Sequence, residues 1–196
     1  MSQAQPDVIQ QGPLRLAWPL FIEWLLTVSI GMVDAMILGL VSDQAAAAVG
    51  AVNVVLIMAI TLLGTLTNSG GIVLTQYLGA RGQQKGQQGQ IRELQNALLL
   101  INLLLGGALS LLLLATSPWL PQLMAAPPEL HQQASLFVAI VGGGLILQSM
   151  IWTFSSLLNA RGYTRYTMGN AIAMNLLNAG LSYYLVVNTD SGVAGV

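Results

Sequence analysis

The sequence predicts an all-α integral membrane protein, a polytopic helical bundle, and three observations lead there. Apolar residues make up 55% of the chain and charged residues 7%, where soluble domains carry roughly 25% charged residues. The apolar residues gather into runs of about 20 or more, the length that crosses a bilayer core as a helix. Those runs lack the alternation that strands of a membrane barrel would show over about ten residues.

Each span has its own boundaries. After a polar leader, Gly12-Pro13 precedes a first span at 17–40, with Arg15 near its start. The leader has no Lys or Arg, and the apolar run exceeds the roughly 7–15 residues of a signal-peptide core, so an uncleaved span is expected. A second span at 49–77 ends in a Gly/Gln-rich loop, GARGQQKGQQGQ, whose composition marks a break. The third, at 94–116, stops at Ser117-Pro118, and a Pro-rich turn leads to the fourth at 134–158. The loop NARGYTRY at 159–166 separates it from a fifth at 167–187, and 192–196 reads as the start of a sixth. The third span is nearly all Leu apart from Asn96, Asn102 and Gly106-Gly107, and is expected to face lipid.

Charge sets the expected topology. Arg15 precedes the first span; Arg81, Lys85 and Arg92 lie between the second and third; Arg161 and Arg165 lie between the fourth and fifth. The alternate connections hold no Lys or Arg, only Asp43, Glu129 and Asp190. Basic residues mark the cytoplasmic side, so a multi-pass protein of the cell's inner, cytoplasmic membrane is expected, with the amino terminus and loops 78–93 and 159–166 cytoplasmic.

Several chemistries are disfavoured. No cysteine is present and His131 stands alone, so neither disulfides nor a zinc site are expected. Six scattered Lys and Arg make no nucleic-acid surface. An intramembrane hydrolase would need a catalytic pair that the spans do not supply. No enzyme activity and no cofactor are expected.

What the spans do carry is acid. Glu23 and Asp34 both lie in the first span, and an ionised carboxylate at membrane depth costs several kcal/mol unless it faces protein or a watery cavity. Eleven residues separate them, which puts them about 20° apart around a helix and about 16 Å apart along it. They share a face. Asn53, Gly64, Asn68, Gly71 and Thr75 form a polar or slim arc on the second span, Gly144, Gln148, Trp152, Ser155 and Asn159 one on the fourth, and Asn175, Asn178 and Ser182 one on the fifth. Small and amide-bearing residues serve as helix–helix glue in any membrane bundle; the other reading makes Asn53, Asn68, Gln148, Trp152 and Asn175 the lining of a cavity. Trp24, Met32 and Met36 are candidates for its apolar wall, and Trp18 for an interfacial anchor.

Four stretches resemble the multidrug and toxic compound extrusion (MATE) transporters: PLFIEWLLTVSIGMVDAMILGLVSDQAAAAVG, TQYLGARG, ARGYTRYTMGNAI, and NAGLSYYLVV followed by GVAG. They resemble, in order, the family's first helix with its GxVD element, the end of its second, the loop between its fourth and fifth, and its fifth helix with entry to the sixth. The resemblance implies twelve helices in two six-helix lobes, exchanging organic, mostly cationic or amphipathic compounds for H+ or Na+. It implies that this chain is an amino-terminal fragment, most of one lobe, whose partner is the missing carboxy-terminal lobe. In the similar DNA-damage-inducible branch an Asp on helix one works with Asn and Asp on helix five. Asp34 matches the first and Asn178 the second, while Ser182 stands where the second Asp would be. One carboxylate with Asn178 and Ser182 suits a proton and makes a less anionic sodium site, though Na+ at Asp34 stays open.

Glu23 is outside the general motif. Its position near the start of the span fits either an acid hydrated at the cytoplasmic interface or an inner station, passing on a proton from Asp34 or holding an entering cation. Two further readings of the whole chain stand beside transport: a lipid-linked saccharide flippase of the same superfamily, which would be expected to carry Arg or Lys inside its cavity, and a non-transporting structural membrane subunit.

Overall fold

The computed structural model describes residues 13–41, 43–81 and 88–188, and within these it forms helices joined by short turns. The order is α1 (Pro13–Val41), α2 (Asp43–Arg81), α3 (Gln88–Thr116), a short α4 (Leu120–Leu123), a single 3-10 turn (Pro128–Leu130), α5 (His131–Ala160) and α6 (Thr164–Asn188). The start of a sixth span at 192–196 lies outside the described residues, as does the loop 82–87.

Four of these helices are long and apolar enough to cross a membrane: the segments are Leu14–Val33, Val49–Gly79, Gly89–Thr116 and Pro128–Ala160. The protein is a multi-pass membrane protein. α6 has 25 residues, about 37 Å at 1.5 Å per residue, but Asn170, Asn175, Asn178, Ser182 and three tyrosines make it less apolar than the others. The helices outrun the spans read from hydropathy. α2 begins at Asp43 because Ala45 to Ala48 extend it, alanine being the strongest helix former. α3 begins at Gln88, one and a half turns before its apolar run.

α5 is the axis of the bundle, lying between α3 and α2, while α1 packs chiefly along α6. The core joins Val52, Leu56 and Leu63 of α2 to Leu113 of α3 and to Val138 and Leu145 of α5. Slim residues let these backbones approach: a Cβ on Gly142 would come within 2.6 Å of the Leu113 Cβ, and Gly106 lies directly against Ser149.

The expectation that α3 faces only lipid is corrected here. Leu100, Leu104, Leu111 and Leu112 do point outward, but Asn102 is fully buried, Gly106 and Ser110 meet α5, and Leu113 belongs to the core. Leucine suits a lipid face and a protein core equally, so the run of Leu hid a buried stripe defined by its few small and polar members. Ser110 donates to the carbonyls of Gly142 and Gly143 at 2.8 and 2.6 Å.

At the α3–α5 connection, Ala125 takes a positive φ of 55° and His131 Nε2 donates to the Ala126 carbonyl at 2.8 Å. The single histidine thus closes a turn. The α5–α6 elbow is tighter. Gly162, at φ 80°, sends its N–H to the Asn159 carbonyl, and Tyr163 sends its own to Leu158, the paired bonds of a Schellman ending that needs a left-handed residue at this place.

Candidate functional site

The elbow sets the geometry of the Glu23 carboxylate. Because the Schellman turn stops α5 just after Asn159 and starts α6 at Thr164, Asn159 and Thr167 come to lie side by side across two helices. Thr167, 2% exposed, donates through Oγ1 to Asn159 Oδ1 at 2.7 Å and to the Thr164 carbonyl at 3.0 Å. With its oxygen so occupied, the Asn159 amide presents Nδ2 to α1, where it donates to Glu23 Oε2 at 3.3 Å. Glu23 therefore stands level with the elbow and its Arg161 and Arg165, not at the middle of the bundle. Beside it, Arg161 donates from Nη2 to Gln95 Oε1 at 2.9 Å, joining the elbow to α3.

This junction fixes the register of α1 against α6. Both helices have their amino-terminal part at the elbow and pack along each other, so they run parallel. Asn178 is eleven residues beyond Thr167, as Asp34 is eleven beyond Glu23; at equal rise both lie about 16 Å from the elbow. Asn178 thus shares a level with Asp34. The Asp34 side chain itself lies outside the described residues.

Asn178 Oδ1 is buried and accepts no hydrogen bond among the described residues. Ser182, one turn further on, is 4% exposed. Asn175 is half-buried and its Nδ2 turns back to the Ala171 carbonyl at 3.0 Å, satisfied within α6. An orphaned amide oxygen in a membrane helix calls for a donor, since burial without one costs about 1–3 kcal/mol.

The other polar candidates divide. On α2, Gly64 meets the Trp152 ring, with a would-be Cβ 3.3 Å from its Cζ3, and Gly71 lies against Ser156 of α5. These glycines serve packing. Asn53, Gln148 and Trp152 are half-buried and Asn68 is exposed. Trp18, Trp24, Met32 and Met36 are all more than 60% exposed on α1. Among the described residues no cluster of His, Asp, Glu or Cys suits a metal ion.

Two polar partners were not singled out in the sequence. Thr167 reads as an ordinary first residue of a span, and Asn102 as an interruption in a Leu run. An amide in a stretch otherwise of Leu was the available signal, because a buried amide persists only where something bonds it: Thr67 donates to its Oδ1 at 2.8 Å, its Nδ2 donates to the Leu98 carbonyl at 2.9 Å, and its own carbonyl accepts from Ser149 at 3.2 Å.

The chain is similar to a known family and to a known transporter. The family model described as MatE covers residues 19–184. A protein described as an uncharacterized transporter, YisQ, of Bacillus subtilis (strain 168) is 31% identical over 185 residues, which are 92% of this chain and 40% of that protein.

Proposed function

The chain belongs to the MatE family, and from that premise we propose that it forms the cation-coupled part of a secondary antiporter that exports organic cations and amphipathic compounds across the cytoplasmic membrane, working with a second lobe. The observation that carries this reading is the shared level of Asp34 on α1 and the orphaned Asn178 oxygen on α6.

The chemistry favours a proton as the coupling ion. An ionised carboxylate only accepts hydrogen bonds, whereas a protonated one has an O–H to donate. A neutral Asp34 would satisfy Asn178 Oδ1 and remove the cost of closing low-dielectric protein around a charge. Once ionised, it would leave the Asn178 oxygen unpaired and favour a hydrated, open cavity. Exchange follows if the lobe closes around the neutral acid and opens around the charged one, where an organic cation is the natural counterion. Ser182, one turn away, supplies a second hydroxyl. Sodium would be served by the same oxygens but with a single formal charge.

The test is efflux of a fluorescent organic cation from proteoliposomes under an imposed pH gradient or an imposed sodium gradient. Export driven by the pH gradient and lost in Asp34→Asn is expected. Export driven by sodium alone would overturn proton coupling, and export unchanged in Asp34→Asn would overturn the site.

A further inference from the structure

The contacts of the bundle divide the described helices into two groups. α2, α3 and α5 interlock: they supply the apolar core, the Thr67–Asn102 and Ser110–Gly142 hydrogen bonds, and close approaches at Gly71, Gly106 and Gly142. α1 and α6 form a pair. Gly31 on α1 and Gly169 and Gly180 on α6 have no atom within 4 Å of a would-be Cβ, so among the described residues nothing packs on the sides of the pair that these glycines face. α6 touches α5 far less than it touches α1.

The Asn159–Glu23 hydrogen bond joins the two groups where they meet, at the Arg-bearing elbow. At 3.3 Å it is longer than the usual range for a bond between nitrogen and oxygen. Its carboxylate has a second oxygen, Oε1, with no partner among the described residues. Thr167 holds the Asn159 amide in the orientation that makes the bond, so the contact is positioned from α6 as well as from α5. Of the two side-chain bonds that Asn159 makes at the elbow, 2.7 Å from Thr167 of α6 and 3.3 Å to Glu23 of α1, the longer one to α1 is the more easily exchanged for water.

We propose that the Glu23–Asn159 contact is a gate: it is closed in this conformation and breaks when α1 swings away from the α5–α6 elbow during the transport cycle, with Thr167, which keeps its own bond to Asn159, as its positioning residue. The proposal rests on the transport reading above. It assigns Glu23 a part separate from Asp34, which stands about 16 Å further along the same helix.

The chain has no native cysteine, so spin labels can be placed on exposed positions flanking the contact, Leu20→Cys on α1 and Leu158→Cys on α5, in the transporter in lipid nanodiscs. Two distance populations are expected, with their balance shifted by tetraphenylphosphonium. Glu23→Gln should lower the ratio of short to long distances at least about threefold, the size of shift that a modest differential stabilisation produces. Thr167→Val should move it the same way by less, and this second variant gives the answer if Glu23→Gln does not fold. One narrow population, unmoved by the probe, would show a static tie and overturn the gate; so would two populations whose balance neither substitution changes. Failure of the unmodified protein to export a cationic dye would remove the transport reading but leave the distance result standing.

Discussion

Thr67 of α2 donates a 2.8 Å hydrogen bond to Oδ1 of Asn102 on α3, and both side chains are buried at 3% and 0% exposure. This pair knots the interlocked half of the bundle, since Asn102 also receives Ser149 of α5 at its main-chain carbonyl. Between membrane helices such bonds average about 0.6 kcal/mol and reach about 1.7. Asn102→Ala removes the amide and leaves a void, and should lower unfolding stability in detergent by roughly 1–2 kcal/mol. A double-mutant cycle with Thr67→Val should return a coupling energy of about 0.5–1 kcal/mol, read from denaturation midpoints.

The glycines give a sharper contrast. A Cβ on Gly142 would stand 2.6 Å from the Leu113 Cβ, at backbone-proximal atoms that cannot swing aside. Gly142→Ala should cost about 1–3 kcal/mol through overpacking. Gly180 has open space, and Gly180→Ala should be neutral or raise stability by up to about 1 kcal/mol, the difference in helix propensity. Thermal unfolding of the two variants side by side checks both.

Topology can be read by impermeant thiol reagents on intact cells. A cysteine in place of exposed Tyr166, beside Arg165 at the elbow, should be shielded from outside. One in place of exposed Leu123 should be labelled. Labelling at Tyr166→Cys from outside would invert the orientation drawn from the basic residues.

Asn178 is expected to act through its acceptor oxygen. Asn178→Asp keeps acceptor oxygen at the level of Asp34 and adds a second acid, so export should persist with a changed pH profile. Asn178→Leu removes the acceptor and should reduce proton-driven export at least about tenfold, which corresponds to about 1.4 kcal/mol. Equal export by Asn178→Leu and the unmodified protein would leave Asn178 a packing residue.

Glu23 and Asn159 show what the sequence decided alone and what it did not. The apolar runs, the sidedness of the basic residues and the membrane acids follow from solvent transfer and charge, which depend on each residue's own chemistry and on helical periodicity. Those are local quantities, and for this reason the all-α membrane class, the position of α1 and the candidacy of Asp34 and Glu23 were legible before any fold was known. Partnership is not local. That Glu23 meets Asn159, 136 residues away, depended on where the left-handed Gly162 turns α5 into α6. That Asn102 lies in the core, not against lipid, depended on which leucines of α3 met α5, and hydrophobicity cannot tell protein from hydrocarbon. The same limit concealed the division into an interlocked trio and an α1–α6 pair, because only the packed helices reveal which of them meet.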